Sequence, residues 1–332
     1  MNKIIVLNSR PVGKPQKHDF KFIIDGMPIN GDGEVLMKTR FVSVDPYLRG
    51  RMSEAKSYIQ PFELNQPISS GIIAEVIESN NAKLAKGDFV SGMLQWKEYQ
   101  VSTGENLLIV NPEVAPLSAY LGILGMTGLT AYLGLTEIGK PKREETLVVS
   151  GAAGAVGMVT GQIGKILGCH VVGIAGTDDK CEILKSKFGF DEAINYNTSK
   201  NIRKAIAMAC PNGVDIYFDN VGGDISDGVL VNINKYARVI ICGAISQYNA
   251  TSMPVGPRLQ PLLLKNSALM QGFIIGNYAT KFQEAVKILT SWLKEGKLVN
   301  HETIVEGFDQ IPQAFIDLFD GKNTGKMVVR VG

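Results

Sequence analysis

Hydrophobic positions fall into two textures along this chain. Up to about residue 110 they form short, β-branched runs at 4–7, 20–24, 34–44, 70–79 and 88–101, separated by turns such as Asn30-Gly31-Asp32-Gly33 and Lys86-Gly87-Asp88. No helical periodicity interrupts them, which predicts an irregular β-rich domain. From about Pro116 apolar runs alternate with stretches of helical spacing. Strands are predicted at 146–150, 170–175, 193–196, 214–219, 237–242 and 268–274, with helices between most of them. Six strands in βα order predict an α/β fold with a doubly wound, parallel Rossmann-type sheet. A helix at 308–319 and a strand at 325–330 are expected to rejoin the first domain, giving a β-rich domain of 1–117 plus 300–332 and a nucleotide-type domain of 118–299.

The sharpest local signal is Gly151-Ala152-Ala153-Gly154-Ala155-Val156-Gly157, between the first of these strands and a helix expected over 158–167. A glycine turn opening a helix inside a strand–helix–strand unit is the context of a dinucleotide site. A pyrophosphate must approach the backbone N–H groups at the helix N-terminus, where the dipole favours negative charge. A side chain on Gly154 would obstruct that approach. Gly157, Gly161, Gly164 and Gly168 then form a bare ridge expected to pack on the sheet. The same glycine spacing recurs at 122–128 without a preceding strand, and is read as a packed helix with no phosphate role. The uncharged stretch 114–136 carries glycines, serine and threonine, and is expected to be a buried helix rather than a membrane span.

Ligands on open α/β sheets bind past the carboxyl ends of the strands. That rule selects 151–157, 176–180, Tyr196, Asn220 with Val221-Gly222-Gly223, 242–248 and 273–276. Asp178 lies 21 residues after Gly157, about where an NAD-binding carboxylate stands. The strand, however, is expected to end at Ala175-Gly176, and Lys180 could serve a 2′-phosphate, so spacing leaves NAD and NADP open.

Composition narrows the function. A net charge of +2 without a long basic run argues against nucleic acid or an anionic membrane as partner. The N-terminal apolar run is too short for a signal peptide, and Cys169, Cys181, Cys210 and Cys242 form no CxxC, so a cytoplasmic protein is expected. His18, His170 and His301 are the only histidines and none neighbours a plausible ligand cysteine, so no metal site is expected. An acid at such a site would be a tyrosine or water. Tyr47, in the loop 44–52, and Tyr248 are the candidates, with Tyr58 a third; packing roles remain the alternative. The proline-rich segment 247–261 reads as a substrate cover or a plain connector.

Several of these stretches resemble the zinc-independent medium-chain dehydrogenase/reductases, in particular the prostaglandin reductase, alkenal/one reductase and curcumin reductase group. They are Asp45-Pro46-Tyr47-Leu48-Arg49-Gly50-Arg51-Met52, Ala152-Ala153-Gly154-Ala155-Val156-Gly157, Phe218-Asp219-Asn220-Val221-Gly222-Gly223, Cys242-Gly243-Ala244-Ile245-Ser246-Gln247-Tyr248-Asn249 and Gly321-Lys322-Asn323-Thr324-Gly325-Lys326. The resemblance implies a GroES-like catalytic domain beside the Rossmann domain, and NADPH as cofactor with Lys180 and Tyr196 at the 2′-phosphate. It implies Ala155, Val156, Gly157 and Met158 at the pyrophosphate, and Asn220, Cys242, Gly243, Ala244, Ile245, Ser246, Tyr248, Phe273, Ile274, Ile275 and Asn323 along the rest of the cofactor. Where zinc-containing relatives carry ligands, this chain reads Ser43-Val44-Asp45 and Ser69-Ser70-Gly71. The implied reaction is reduction of the carbon–carbon double bond of an enone or enal, with Tyr248 as donor or proton source, Tyr47 lining the pocket, and a homodimer as the assembly. A quinone reductase of the same superfamily, or a non-catalytic NADPH-binding protein, is the alternative. The stretch 250–256 follows the group only loosely and leaves substrate size open.

Overall fold

The computed structural model describes residues 1–332, which form two compact units. The first comprises Met1–Leu121, Glu302–Asn323 and Met327–Gly332, and the second Gly122–His301 with Thr324–Lys326. The first extends past residue 117 because the 3₁₀ turn Leu117–Leu121 packs its Leu117, Tyr120 and Leu121 with Ile73, Val110 and Val328.

The N-terminal strands are β1 (Asn2–Leu7), β2 (Phe20–Asp25), β3 (Val35–Ser43), β4 (Ser69–Ser79), β5 (Phe89–Gln95), β6 (Tyr99–Ser102) and β7 (Leu108–Val110), with a single-turn helix α1 (Leu48–Arg51) after β3. The run expected at 88–101 is thus two strands. Trp96 ends the first of them by burying its ring in the core and donating Nε1–H to Ser70 Oγ at 2.8 Å. β7 has too few apolar residues to announce itself.

The second unit alternates helix and strand: α2 (Met126–Leu133), β8 (Thr146–Ser150), α3 (Ala155–Ile166), β9 (His170–Ala175), α4 (Asp178–Ser186), β10 (Glu192–Asn195), α5 (Ile202–Ala209), β11 (Val214–Asp219), α6 (Gly223–Leu230), β12 (Ile233–Ile241), α7 (Gln260–Asn266), β13 (Leu269–Gly272) and α8 (Phe282–Lys294). All six strands are parallel, in the order β10-β9-β8-β11-β12-β13. Strands covered on both faces need apolar residues throughout, which is why β8 is buried at every position. The order reverses at β8, so ligands are expected beyond the carboxyl ends of β8 and β11.

Two expectations change here. Residues 114–136 are not one helix but the 3₁₀ turn, a glycine-bearing link, α2 and a π-type turn at Gly134–Gly139. Gly122 and Gly125 precede α2, and only Gly128 lies in it; a Cβ on Gly128 would stand 1.8 Å from Ile123 O, so the link folds onto the helix start. No helix is long and apolar enough to cross a membrane. The glycines of α3 also divide their work. A Cβ on Gly164 would meet Leu147 of the sheet at 2.5 Å and one on Gly161 would enter the Phe190 ring at 1.9 Å, whereas Gly157 meets its own loop rather than the sheet.

The chain ends with β14 (Glu302–Glu306), α9 (Ile311–Leu318) and β15 (Lys326–Arg330). These complete the first unit's sheet in the order β14-β15-β3-β4-β5-β7, with β6 also paired to β3. Its core joins Trp96, Leu48 and Met52 to Phe315 and Val329, so the C-terminal segment is integral to that unit.

Candidate functional site

The glycine loop after β8 is fixed by its own backbone. Ala152 N–H donates to Ile174 O and Gly154 N–H to Gly151 O, each at 3.0 Å. A Cβ on Gly157 would lie 2.3 Å from Gly151 O and 2.7 Å from the Ala152 Cα, so only glycine allows this closure. The helix begins three residues earlier than the periodicity predicted, at Ala155, because the apolar pattern starts only after the loop's small residues. Gly154 is its N-cap and supplies no capping side chain. The N–H groups of Ala155, Val156 and Gly157 therefore open the helix without an intrahelical or side-chain acceptor, at the positive end of the dipole. Met158 N–H is already committed to Gly154 O. A Cβ on Gly154 would meet one atom alone, Gly151 O at 3.2 Å, so space lies open beside the loop. Ala153 O accepts from Gly325 N at 2.7 Å, which gives the Gly321–Lys326 motif its structural place.

At the next strand ends, β9 closes on Ala175 and Gly176 without a carboxylate. Tyr196 follows β10 directly, and a Cβ on Gly176 would lie 2.9 Å from its hydroxyl, so the missing side chain makes room for the phenol. Thr177 caps α4 by accepting from Lys180 N at 3.2 Å. Lys180 is half-buried, and burial lowers the pKa of its ammonium. A lysine and a tyrosine without an acid at the strand end suit a ribose that carries a phosphate.

β11 ends in a polar knot of which the sequence reading singles out Asn220 but gives no role to Ser150 or Asp219. The buried Asp219 carboxylate accepts from Ser150 Oγ at 2.8 Å and from Val221 and Gly222 N–H at 2.9 Å through one oxygen, Oδ1. Asn220 is held by Ser150 in turn, its N–H donating to Ser150 Oγ at 2.9 Å and its Nδ2 to Ser150 O at 2.8 Å. The signal was present as polar residues closing two otherwise apolar strands, a costly choice unless the groups are hydrogen-bonded. Gly222 and Gly223 have φ of +72° and +58°, the left-handed region where glycine is favoured.

This turn carries the segment after β12. Ser246 donates from Oγ to Val221 O at 2.6 Å and from its N–H to the same oxygen at 3.1 Å, while Ile245 N–H reaches Asn220 O at 3.3 Å. Cys242 and Gly243 donate N–H to Asp219 O. Burial, and then the Asp219 charge, push the Cys242 thiol up to about 12, so it stays protonated and is no nucleophile. Tyr248 folds back so that its hydroxyl accepts from Ala244 N–H at 3.2 Å, and Gly243 keeps the space beside that hydroxyl clear. Past β13, Phe273 stands edge-on to Phe218 and Tyr278; Ile274 is more exposed, and Ile275 packs with Leu129 and Leu133 under α8. Residues 154–158, Lys180, Tyr196, Asn220, 242–248 and 273–275 thus gather along one edge of one sheet.

Tyr47 and Asn323 belong to the first unit. Tyr47 precedes α1, where burial first and then Asp45 raise its pKa well above that of a free phenol, against an opposing effect of Arg51. Its hydroxyl therefore stays protonated. The neighbouring arginines are structural: Arg49 donates to Pro11 O and Gly13 O, and Arg51 lies over the Phe62 ring at 3.9 Å. No three His, Cys, Asp or Glu side chains converge anywhere in a way that could hold a metal ion.

Comparison with known proteins matches residues 3–110 to an N-terminal domain of oxidoreductase and residues 155–291 to a zinc-binding dehydrogenase domain. YfmJ of Bacillus subtilis is 55% identical over 98% of this chain and 97% of its own. The NADPH-dependent curcumin reductase of Escherichia coli is 43% identical over 99% of this chain and 97% of its own. The crystal structure of CurA in complex with NADPH from Vibrio vulnificus superposes with a TM-score of 0.95 at 44% identity, covering 99% of each chain. This chain belongs to the medium-chain dehydrogenase/reductases, in the zinc-independent group of curcumin, alkenal and prostaglandin reductases.

Proposed function

We propose that this protein reduces the carbon–carbon double bond of α,β-unsaturated ketones and aldehydes with NADPH. The observation that carries the proposal is the phenol of Tyr248 at the carboxyl edge of a nucleotide-type sheet, in a chain whose full-length relatives include a curcumin reductase and a 2-alkenal reductase. The residues present fit the cofactor. The uncapped start of α3 suits a pyrophosphate, Lys180 and Tyr196 suit a 2′-phosphate, and the segments around Asn220, 242–248 and Phe273 suit the remainder; Asn323, in the other unit, is assigned to the cofactor by likeness to the group alone. Bound there, the reduced nicotinamide supplies the hydride.

The chain's own part is to manage charge on the substrate. Addition at the β-carbon places negative charge on the carbonyl oxygen as an enolate. Tyr248 donates its O–H to that oxygen, and the hydrogen bond it accepts from Ala244 N–H strengthens the donation. One such donor is worth about 3 kcal/mol, or roughly a hundredfold in rate. Tyr47, kept protonated by burial, is the second phenol assigned to the substrate. The active form is a homodimer by likeness to the group, which sedimentation of the purified protein tests.

The experiment is to follow nicotinamide absorbance with NADPH and a panel of enals, enones, curcumin-like dienones and a quinone. Enones and enals are expected to consume NADPH, and Tyr248→Phe to slow turnover of bound substrate at saturating NADPH about a hundredfold. No consumption with any member refutes the proposal, and faster turnover of the quinone assigns the protein to quinone reduction instead.

A further inference from the structure

Asp178 presents a conflict. It opens α4, where the helix dipole favours a carboxylate, yet it sits beside Lys180, which the proposal above assigns to the 2′-phosphate. A carboxylate close to that phosphate repels it, which is how NAD enzymes discriminate against NADP. The spacing of Asp178 from Gly157 is that of such a carboxylate.

The structure shows what becomes of the charge. Asn195, the last residue of β10, donates Nδ2–H to Asp178 Oδ1 at 2.7 Å. The amide cannot turn round, because its Oδ1 accepts from Asn197 N at 3.0 Å. Asn197 is tied in turn to the end of β9, its Nδ2 donating to Gly176 O at 2.7 Å. The strand ends of β9 and β10 therefore hold Asp178, the carboxylate whose spacing from the glycine loop is that of an NAD-binding acid, whereas Asp179 beside it has no such tie.

We propose that Asn195 is a positioning residue for cofactor selection: by binding the Asp178 carboxylate to the end of β10, it lets α4 keep its N-terminal acid while the ribose pocket accepts a 2′-phosphate. This rests on the NADPH reading. Asn195 need not touch the cofactor. It acts through Asp178, so the two residues must be coupled.

The test is calorimetric titration of the protein with 2′,5′-ADP and with 5′-AMP, which differ by the 2′-phosphate alone. Neither ligand carries a nicotinamide, so the readout is independent of turnover. The parent is expected to prefer 2′,5′-ADP. Asn195→Ala should weaken 2′,5′-ADP about fivefold, the size of one partly screened like charge a few ångström away, and leave 5′-AMP unchanged. Adding Asp178→Asn should restore binding. Asn195→Asp keeps the acceptor for Asn197 but loses the donor, and should weaken 2′,5′-ADP further while preserving the turn. Unchanged binding in Asn195→Ala, equal losses for both ligands, or a loss that survives Asp178→Asn overturns the proposal and leaves the NADPH reading standing. A parent without preference for 2′,5′-ADP overturns both.

Discussion

Asp219 offers the most direct way to perturb the site without touching a residue assigned to the ligand. One carboxylate oxygen accepts from Ser150 Oγ and from the N–H groups of Val221 and Gly222. Asp219→Ala removes all three bonds. Hydrogen bonds to a charged acceptor contribute about 1.5–3 kcal/mol each, but they do not sum here. Val221 and Gly222 are partly exposed and recover water, whereas Ser150 is fully buried. A loss of about 3 kcal/mol is therefore expected for the second unit, and about half of that for Asp219→Asn, which keeps an acceptor oxygen. The N–H groups of Cys242 and Gly243 bond the main-chain oxygen of Asp219, so the sheet itself should survive. What loosens is the 220–223 turn, and with it the 242–248 segment that rests on it. Equilibrium urea unfolding measures the first effect and NADPH titration the second, where at least about a tenfold loss of affinity is expected, or roughly 1.4 kcal/mol. A stability loss under about 1 kcal/mol, or unchanged NADPH affinity, would refute the reasoning.

Gly157→Ala places a methyl 2.3 Å from Gly151 O and should abolish NADPH binding by titration while the first unit stays folded. Lys180→Ala should narrow the preference for NADPH over NADH, read as the ratio of their dissociation constants; an unchanged ratio would remove Lys180 from the phosphate site. Burial raises the Glu145 pKa, but its bonds to Arg238 and to Lys142 N–H outweigh this and leave it lowered. Its stabilisation is thus fully present above its unfolded value of about 4.3 and is lost as pH falls through the lower folded value. Unfolding free energy measured down to about pH 3 should fall more steeply in the parent than in Arg238→Gln.

The parallel sheet was legible because strands buried on both faces leave continuous apolar runs, and each of the six runs is a strand. The glycine loop was legible because its tight closure between strand and helix requires residues without side chains. Less visible were segments whose order comes from elsewhere in the chain. β7 is three residues long, and β14 lies in a polar stretch that registers only through β15. The stretch 114–136 looked like one helix because hydrophobicity reports burial and not continuity. Among the candidate site residues, positions at strand ends are selected by topology alone. Ser150, Asp219 and Asn195 escaped notice because their roles depend on partners 69 and 17 residues away, which no local pattern encodes.

Fate of the transferred hydrogen is the most direct test of the whole account. With NADPH deuterated at nicotinamide C4 and a simple enone, NMR of the product should place deuterium on the carbon β to the carbonyl of a saturated ketone, with the α-hydrogen drawn from solvent. Deuterium on the carbonyl carbon of an allylic alcohol, or a saturated product without the label, would contradict it.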